Sequence, residues 1–221
     1  MNIIAKIHTD LPTKFGLPRQ SSLIDELEGL IIFEPEYRSA EALRGIEGFS
    51  HLWLIWEFSE AVRENWSPTV RPPRLGGNKR MGVFATRSPF RPNPIGLSCV
   101  RLIGVEKTAN SGLAIRVSGI DMMDGTPIYD IKPYLPAADC HPEASGGFAK
   151  EVEGHHLEVG FPEDLLKKVP KDKQNALTAL LAQDPRPSYQ NDPDRIYGFC
   201  YAGLEVKFRV DGEKLYVTDI E

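Results

Sequence analysis

Short apolar and β-branched runs recur along the first 135 residues, separated by stretches rich in proline, glycine and polar turn formers, and that pattern predicts a succession of short strands. Residues 3–7 open with strand character, and residues 9–20, carrying two prolines and a glycine, keep the next segment irregular. Residues 29–33 form a second apolar run. Residues 49–58 are apolar on both faces, which predicts a central strand covered on both sides with His51 at its head. Residues 81–86 have the content of a short strand framed by two loops crowded with proline, glycine and arginine. Residues 95–105 and 113–120 are further β-rich runs around a hairpin loop at 108–112, and residues 128–132 supply one more strand before Pro133. Helical signals are sparse here: residues 39–44 predict a turn or two of helix, which Gly45 ends.

Small residues and turn formers at 141–147 mark a domain boundary. Beyond it the pattern changes. Residues 162–169 and 171–183 read as helices, the second with Leu177, Leu180 and Leu181 on one stripe and Pro185 closing it. Residues 204–210 then alternate strictly, Asp211-Gly212 turns the chain, and residues 215–217 alternate again, a strong hairpin signal. The pattern predicts a mainly β protein: residues 1–145 form a β domain and residues 150–221 a smaller α+β C-terminal domain.

Composition narrows the class. With 221 residues, 41% hydrophobic and 26% charged, the chain can bury one good core or two modest ones. The N-terminus lacks the apolar h-region of a secretion signal, and no apolar run approaches the roughly 20 residues a helix needs to cross a bilayer. Cys99, Cys140 and Cys200 are odd in number and widely spaced, which suits the reducing cytoplasm. Charge is uneven. The chain carries −5, whereas residues 63–101 hold eight basic residues (Arg63, Arg71, Arg74, Lys79, Arg80, Arg87, Arg91, Arg101) against Glu64 alone, a local +7. Cations gathered on one proline-stiffened segment point to an anion such as phosphate, carboxylate or nucleic acid. The competing reading is that these arginines pair with carboxylates elsewhere.

Several chemistries are not signalled. No G-x-G-x-x-G follows a strand and no G-x-x-x-x-G-K-[ST] occurs, so neither a Rossmann site nor a P-loop is expected. Cys140-His141 and His155-His156 are adjacent pairs whose side chains would diverge, so no metal centre is expected. Gly96-Leu97-Ser98 lacks the elbow of a nucleophilic serine. What remains is a set of loops rich in groups that fix a small polar molecule: residues 18–20, 51–52, 86–88, 93–97 and 124–127.

Those loops carry a resemblance. Pro18-Arg19-Gln20, Gly48-Phe49-Ser50-His51-Leu52-Trp53, residues 70–77, the run from Gly82 through Thr86-Arg87-Ser88-Pro89-Phe90-Arg91-Pro92-Asn93-Pro94-Ile95-Gly96, and Asp124-Gly125-Thr126-Pro127 on to Tyr134 closely resemble the TrmO (TsaA-like, YaeB) family. Residues 182–189 resemble the C-terminal signature of its bacterial branch. The resemblance implies a small β-barrel N-terminal domain without a Rossmann fold, S-adenosyl-L-methionine as cofactor and no metal. It implies methylation of N6 of threonylcarbamoyladenosine, 3′ of the anticodon, in threonine tRNA, by a homodimer with the cofactor near the subunit contact. Carried over by position, cofactor contacts fall on Pro18, Arg19, Gln20, His51, Leu52, Arg87, Leu97, Asp124, Gly125, Thr126 and Pro127. Asp124 is also the catalytic candidate, with Asp130 a weaker one that suits turn capping. Arg71, Arg74, Lys79, Arg80, Arg91, Arg186 and Tyr189 are the expected RNA contacts. A non-catalytic RNA-binding barrel, or a methyltransferase for a small molecule or protein, are the alternatives.

Overall fold

The computed structural model describes residues 1–72, 79–152, 154, 156–186 and 192–221. The protein is mainly β. Six strands, β1 (Ala5–Thr9), β2 (Glu28–Phe33), β3 (His51–Glu57), β6 (Ile95–Thr108), β7 (Gly112–Ser118) and β8 (Thr126–Pro133), make one sheet. Its order is β1-β2-β7-β6-β3-β8, and β8 pairs back onto β1, so the ladder closes into a barrel. All of its pairings are antiparallel. A short two-stranded ribbon, β4 (Thr69–Val70) with β5 (Met81–Gly82), projects from the connection between β3 and β6.

Alternation decides which side chains fill the barrel. Ala5 and Ile7 from β1, Ile31 from β2, Leu52 and Leu54 from β3, Val100 from β6, Ile115 from β7 and Ile128 from β8 are all fully buried. β3 departs from the sequence expectation. Leu52, Leu54 and Trp56 are buried, but His51, Trp53 and Ile55 on the other face are only half-covered. A closed barrel has a single inside, and the outer face of β3 is sheltered piecemeal, as where Trp53 Nε1 donates to Asp139 at 3.0 Å. The expected strand at 81–86 stops at Gly82 and becomes a 3-10 turn, Val83–Ala85, whose first N–H bonds the Pro68 carbonyl at 2.9 Å. Residues 39–44 also form only a 3-10 turn, Ala40–Leu43, and Ser39 gives it no side-chain cap.

Two close approaches bind strand to strand. Gly29 faces Ile7, and a Cβ there would stand 2.7 Å from Ile7 Cδ1. Gly96 lies opposite Trp56 in the β3–β6 register, and its missing side chain lets the indole lie flat across the backbone, since a Cβ would meet the ring at 2.2 Å.

The C-terminal sheet has the order β10 (Tyr197–Tyr201), β11 (Leu204–Asp211), β12 (Lys214–Ile220), β9 (Glu158–Gly160), with β9 parallel to β12. The hairpin β11–β12 lies where the alternation predicts it; β9 and β10 are strands beyond those predicted. A single turn α1 (Pro136–Asp139) ends the barrel half, and α2 (Glu163–Leu166) is likewise one turn. α3 (Lys171–Ala182) buries Ala176, Leu177, Leu180 and Leu181. The two halves share one continuous apolar core. Across it Ala202 N–H bonds the Asp10 carbonyl at 2.9 Å, Lys173 pairs with Asp10, and the Phe15 ring meets Phe199 edge-on at 6.4 Å. Gly16, at φ 95°, lies so close to Phe199 that a Cβ would be 2.5 Å from the ring.

Candidate functional site

The turn after β1 carries residues 18–22, and three other pieces of chain meet it. Ser22 takes a left-handed backbone (φ 60°), its N–H bonds the Gly119 carbonyl at 2.8 Å, and its Oγ bonds the Cys99 carbonyl at 3.0 Å. Ser21 Oγ accepts the Cys99 N–H at 3.1 Å. The turn is thus pinned to the start of β6 and the end of β7. Gln20, two residues back, accepts a hydrogen bond from Arg87 Nη1 through Oε1 and donates from Nε2 to the Arg19 carbonyl at 2.6 Å. Arg87 belongs to the loop after the 3-10 turn, is exposed, and its other donors have no hydrogen-bond partner among the described residues.

Beside this pair lies Asp121, a residue outside the expected site set. Its Oδ1 accepts the Ser98 hydroxyl at 2.6 Å, and Ser98 Oγ in turn accepts Trp56 Nε1–H at 2.9 Å. The Ser21 backbone N–H also donates to the carboxylate, and Arg87 supplies an attractive charge. Burial nevertheless dominates and pushes the Asp121 carboxyl from 3.8 up to about 6. No local motif marks it. Its partners Ser21, Ser98 and Arg87 come from distant segments, and only the fold brings them together.

Asp124 sits on the neighbouring turn, bolted to β1. Its Oδ1 accepts the Thr9 N–H at 3.0 Å and lies 3.2 Å from His8 Nδ1, a residue the sequence reading did not single out. Its N–H bonds Leu11 O at 2.9 Å. Gly125 (φ 75°) bonds Ile7 O at 2.8 Å, Thr126 Oγ1 bonds Met123 O at 2.8 Å, and Pro127 pairs with Lys6. Asp124 Oδ2 has no hydrogen-bond partner among the described residues, and the side chain is 44% exposed. Asp130, by contrast, accepts the Ile131 N–H at 2.9 Å and pairs with Lys132 at 2.9 Å, a local role.

The remaining expected site residues divide. Pro18 is buried, and Arg19 Nη2 reaches the Asp184 carbonyl at 3.2 Å, joining the turn to the C-terminal half. Leu97 is 53% exposed beside Ser98, an open apolar surface. Leu52 is wholly buried in the barrel, so its side chain packs the core. His51 bonds Ser50 Oγ at 2.9 Å and lies against Tyr134; in the β3–β6 register it pairs with Arg101, four residues from Leu97. Arg101 is also two residues from Cys99, to which Ser21 and Ser22 are hydrogen-bonded. Arg71, Lys79 and Arg80 are exposed and Arg91 is half-buried, with Nη1 donating to the Thr86 carbonyl at 2.9 Å. Arg186 departs from its expected RNA contact. It is 9% exposed, and its Nε bonds Asp184 Oδ1 at 2.9 Å, an internal ion pair. Arg74 and Tyr189 lie outside the described residues.

Family models for the tRNA-methyltransferase O N-terminal domain and the TrmO C-terminal domain match residues 6–140 and 154–221. The chain belongs to the TrmO family. An Escherichia coli K12 member named tRNA (adenine(37)-N6)-methyltransferase is 41% identical over 226 residues, covering 99% of this chain and 96% of the relative. A Pyrococcus abyssi relative, named "Probable S-adenosyl-L-methionine-binding protein", is 39% identical over 70% of this chain and 78% of its own length. A crystal structure of TrmO from Pseudomonas aeruginosa superposes with a TM-score of 0.78 at 33% identity, covering 99% of this chain and 96% of that one. The Gln20–Arg87 pair and the Asp124 turn carry residues that the family resemblance implies as cofactor contacts.

Proposed function

We propose that the chain is an S-adenosylmethionine-dependent tRNA (adenine(37)-N6)-methyltransferase that methylates N6 of threonylcarbamoyladenosine beside the anticodon of threonine tRNA. The observation that carries this reading is the similarity to the Escherichia coli enzyme along essentially the whole chain. The residues present suit the cofactor. Arg87 offers open guanidinium donors to a carboxylate, Asp124 offers a free oxygen to an ammonium or ribose hydroxyl, and Leu97 offers an apolar face to an adenine. Pro18, Gly125, Thr126 and Pro127 shape backbone that needs little further ordering to accept hydrogen bonds. His51 is held in the assignment, and the homodimer implied by the family likeness would bring another copy to the site; Leu52, wholly buried, has only its backbone to offer. Leu97 and Ile103, both exposed and on the outward face of β6, are apolar positions that a second copy would cover.

Bound adenosylmethionine supplies a methyl group already activated on a sulfonium. The chain's own task is to hold the acceptor amine in line with it, and positioning of this kind is worth up to roughly 7–11 kcal/mol of barrier. Asp124 Oδ2 is the acceptor we assign to the amine proton. Among the described residues no group of three His, Cys, Asp or Glu is placed to hold a metal, and no helix is long and apolar enough to cross a membrane. We place the reaction in the cytoplasm, where the tRNA is.

For RNA we assign the arm between β3 and β6. Trp66, Phe84 and Phe90 are 51%, 73% and 39% exposed, the Arg63 guanidinium lies 3.7 Å from the centre of the Phe90 ring, and the Phe84 ring is 6.0 Å from both Trp66 and Arg91. Exposed rings interleaved with Arg71, Lys79, Arg80 and Arg91 combine base stacking with phosphate neutralisation. In this reading residues 1–145 hold the donor, and residues 150–221 flank the RNA. Incubation with unmodified and threonylcarbamoylated tRNA and a methyl-labelled donor, followed by nucleoside analysis, tests it. Label in N6-methyl-threonylcarbamoyladenosine is expected. Label in protein or small molecules only would favour the alternative methyltransferase, and calorimetry without heat from the donor would favour a plain RNA-binding barrel.

A further inference from the structure

We propose that Asp121 is a positioning residue of the donor site: its carboxylate holds the turn carrying Gln20 in place and keeps the Arg87 guanidinium facing that turn. This rests on reading Gln20 and Arg87 as adenosylmethionine contacts.

Hydrogen bonds tie three segments to one carboxylate, and the charge of a fourth acts on it. Ser98 on β6 donates to it at 2.6 Å, and Trp56 on β3 donates to Ser98 at 2.9 Å. The Ser21 backbone N–H comes from the turn itself, and Arg87, bonded to Gln20 of that turn, contributes an attractive charge from the loop after the 3-10 turn. Arg87 is the charged side chain whose field favours the Asp121 carboxylate, although no ion pair joins the two among the described residues; Ser21, Ser98 and Trp56 do not titrate in the working range. An amide of the same shape would accept the Ser98 hydrogen bond through its oxygen, and it would cost less to bury. What the carboxylate adds is charge, and the group that charge complements is the guanidinium bonded to Gln20. Burial raises the carboxyl to about 6. Acidification below that value protonates Asp121 and removes the counter-charge of Arg87, so donor affinity falls as pH falls.

Calorimetric titration of the full chain with adenosylmethionine between pH 5 and pH 8 tests this. The native protein is expected to bind about tenfold more tightly at pH 7.5 than at pH 5, with a midpoint near the Asp121 value. Asp121→Asn is expected to bind about tenfold more weakly at pH 7.5 and to lose the step, an outcome that a purely structural role would not produce. Ser98→Ala removes a donor to the carboxylate and should move the midpoint upward; it decides the matter if the Asn variant does not fold. An Asn variant with native affinity at pH 7.5, a step that persists in it, or a midpoint unmoved in Ser98→Ala overturns the proposal. Arg87→Ala run in parallel separates the failures. If Arg87→Ala binds as the native protein does, the contact reading falls and this inference with it; if only Arg87→Ala weakens binding, Asp121 alone is misassigned.

Discussion

A buried carboxylate with an elevated pKa is a liability to the fold. Asp121 is ordinary in the unfolded chain and titrates near 6 when folded, so the native state holds the extra proton between about pH 4 and pH 6. Its contribution to stability is therefore fully present below the unfolded value and is lost as pH rises through about 6. A carboxyl raised from 3.8 to about 6 loses on the order of 3 kcal/mol by neutral pH. Asp121→Asn is expected to raise stability at pH 7 by a sizeable part of that sum and to lose its advantage near pH 4, measured by urea unfolding at both values. Arg87→Ala should behave oppositely. The side chain is exposed, so unfolding should shift by under about 0.5 kcal/mol, while adenosylmethionine affinity drops at least about tenfold by calorimetry. Half of this site could be read in the chain. Gln20, Arg87 and Asp124 stand in distinctive loops, whereas Asp121 and His8 gain their roles only from partners brought by folding, and Arg186 looked like a surface cation until its Asp184 partner was seen.

Among elements, the strands were most legible where one face is buried and the turn is signalled. The β6–β7 and β11–β12 hairpins lie where alternation and an Asn- or Gly-bearing turn predict them. β9 has only three residues, too few for a period, and exists because β12 offers it an edge. β10 does alternate, with Tyr197, Phe199 and Tyr201 buried, but it follows a stretch rich in proline and aspartate that reads as loop. Residues 81–86 misled because valine and phenylalanine favour strands, yet β4 pairs with only two residues of that segment. Gly96 shows how one element imposes on another. Replacing glycine by alanine in a strand normally gains up to about 1 kcal/mol, but here the added carbon meets the Trp56 ring at 2.2 Å. Gly96→Ala is expected to cost about 1–3 kcal/mol net and to break the Trp56–Ser98 hydrogen bond, read as a lower denaturation midpoint with altered tryptophan fluorescence.

On the scale of the whole molecule, the boundary at 141–147 divides sequence patterns more sharply than it divides the core. The cluster that begins in the barrel continues through Phe199, Leu177 and Leu180, so thermal unfolding followed by tryptophan fluorescence and by far-UV dichroism should give one coincident transition. Charge is distributed on the same scale. A chain of −5 gathers eight of its 26 cations, against one acid, in residues 63–101, and tRNA binding should weaken steeply with salt; Arg80→Ala should flatten the slope of log K against log salt by about one. The Arg19 side chain, finally, grips the end of the C-terminal helix while the very next residue bonds Arg87. A tilt of the smaller lobe would pull directly on the Gln20–Arg87 pair, which we read as part of the donor site. Thermodynamic reciprocity then requires that whatever factor RNA exerts on donor affinity, the donor returns to RNA.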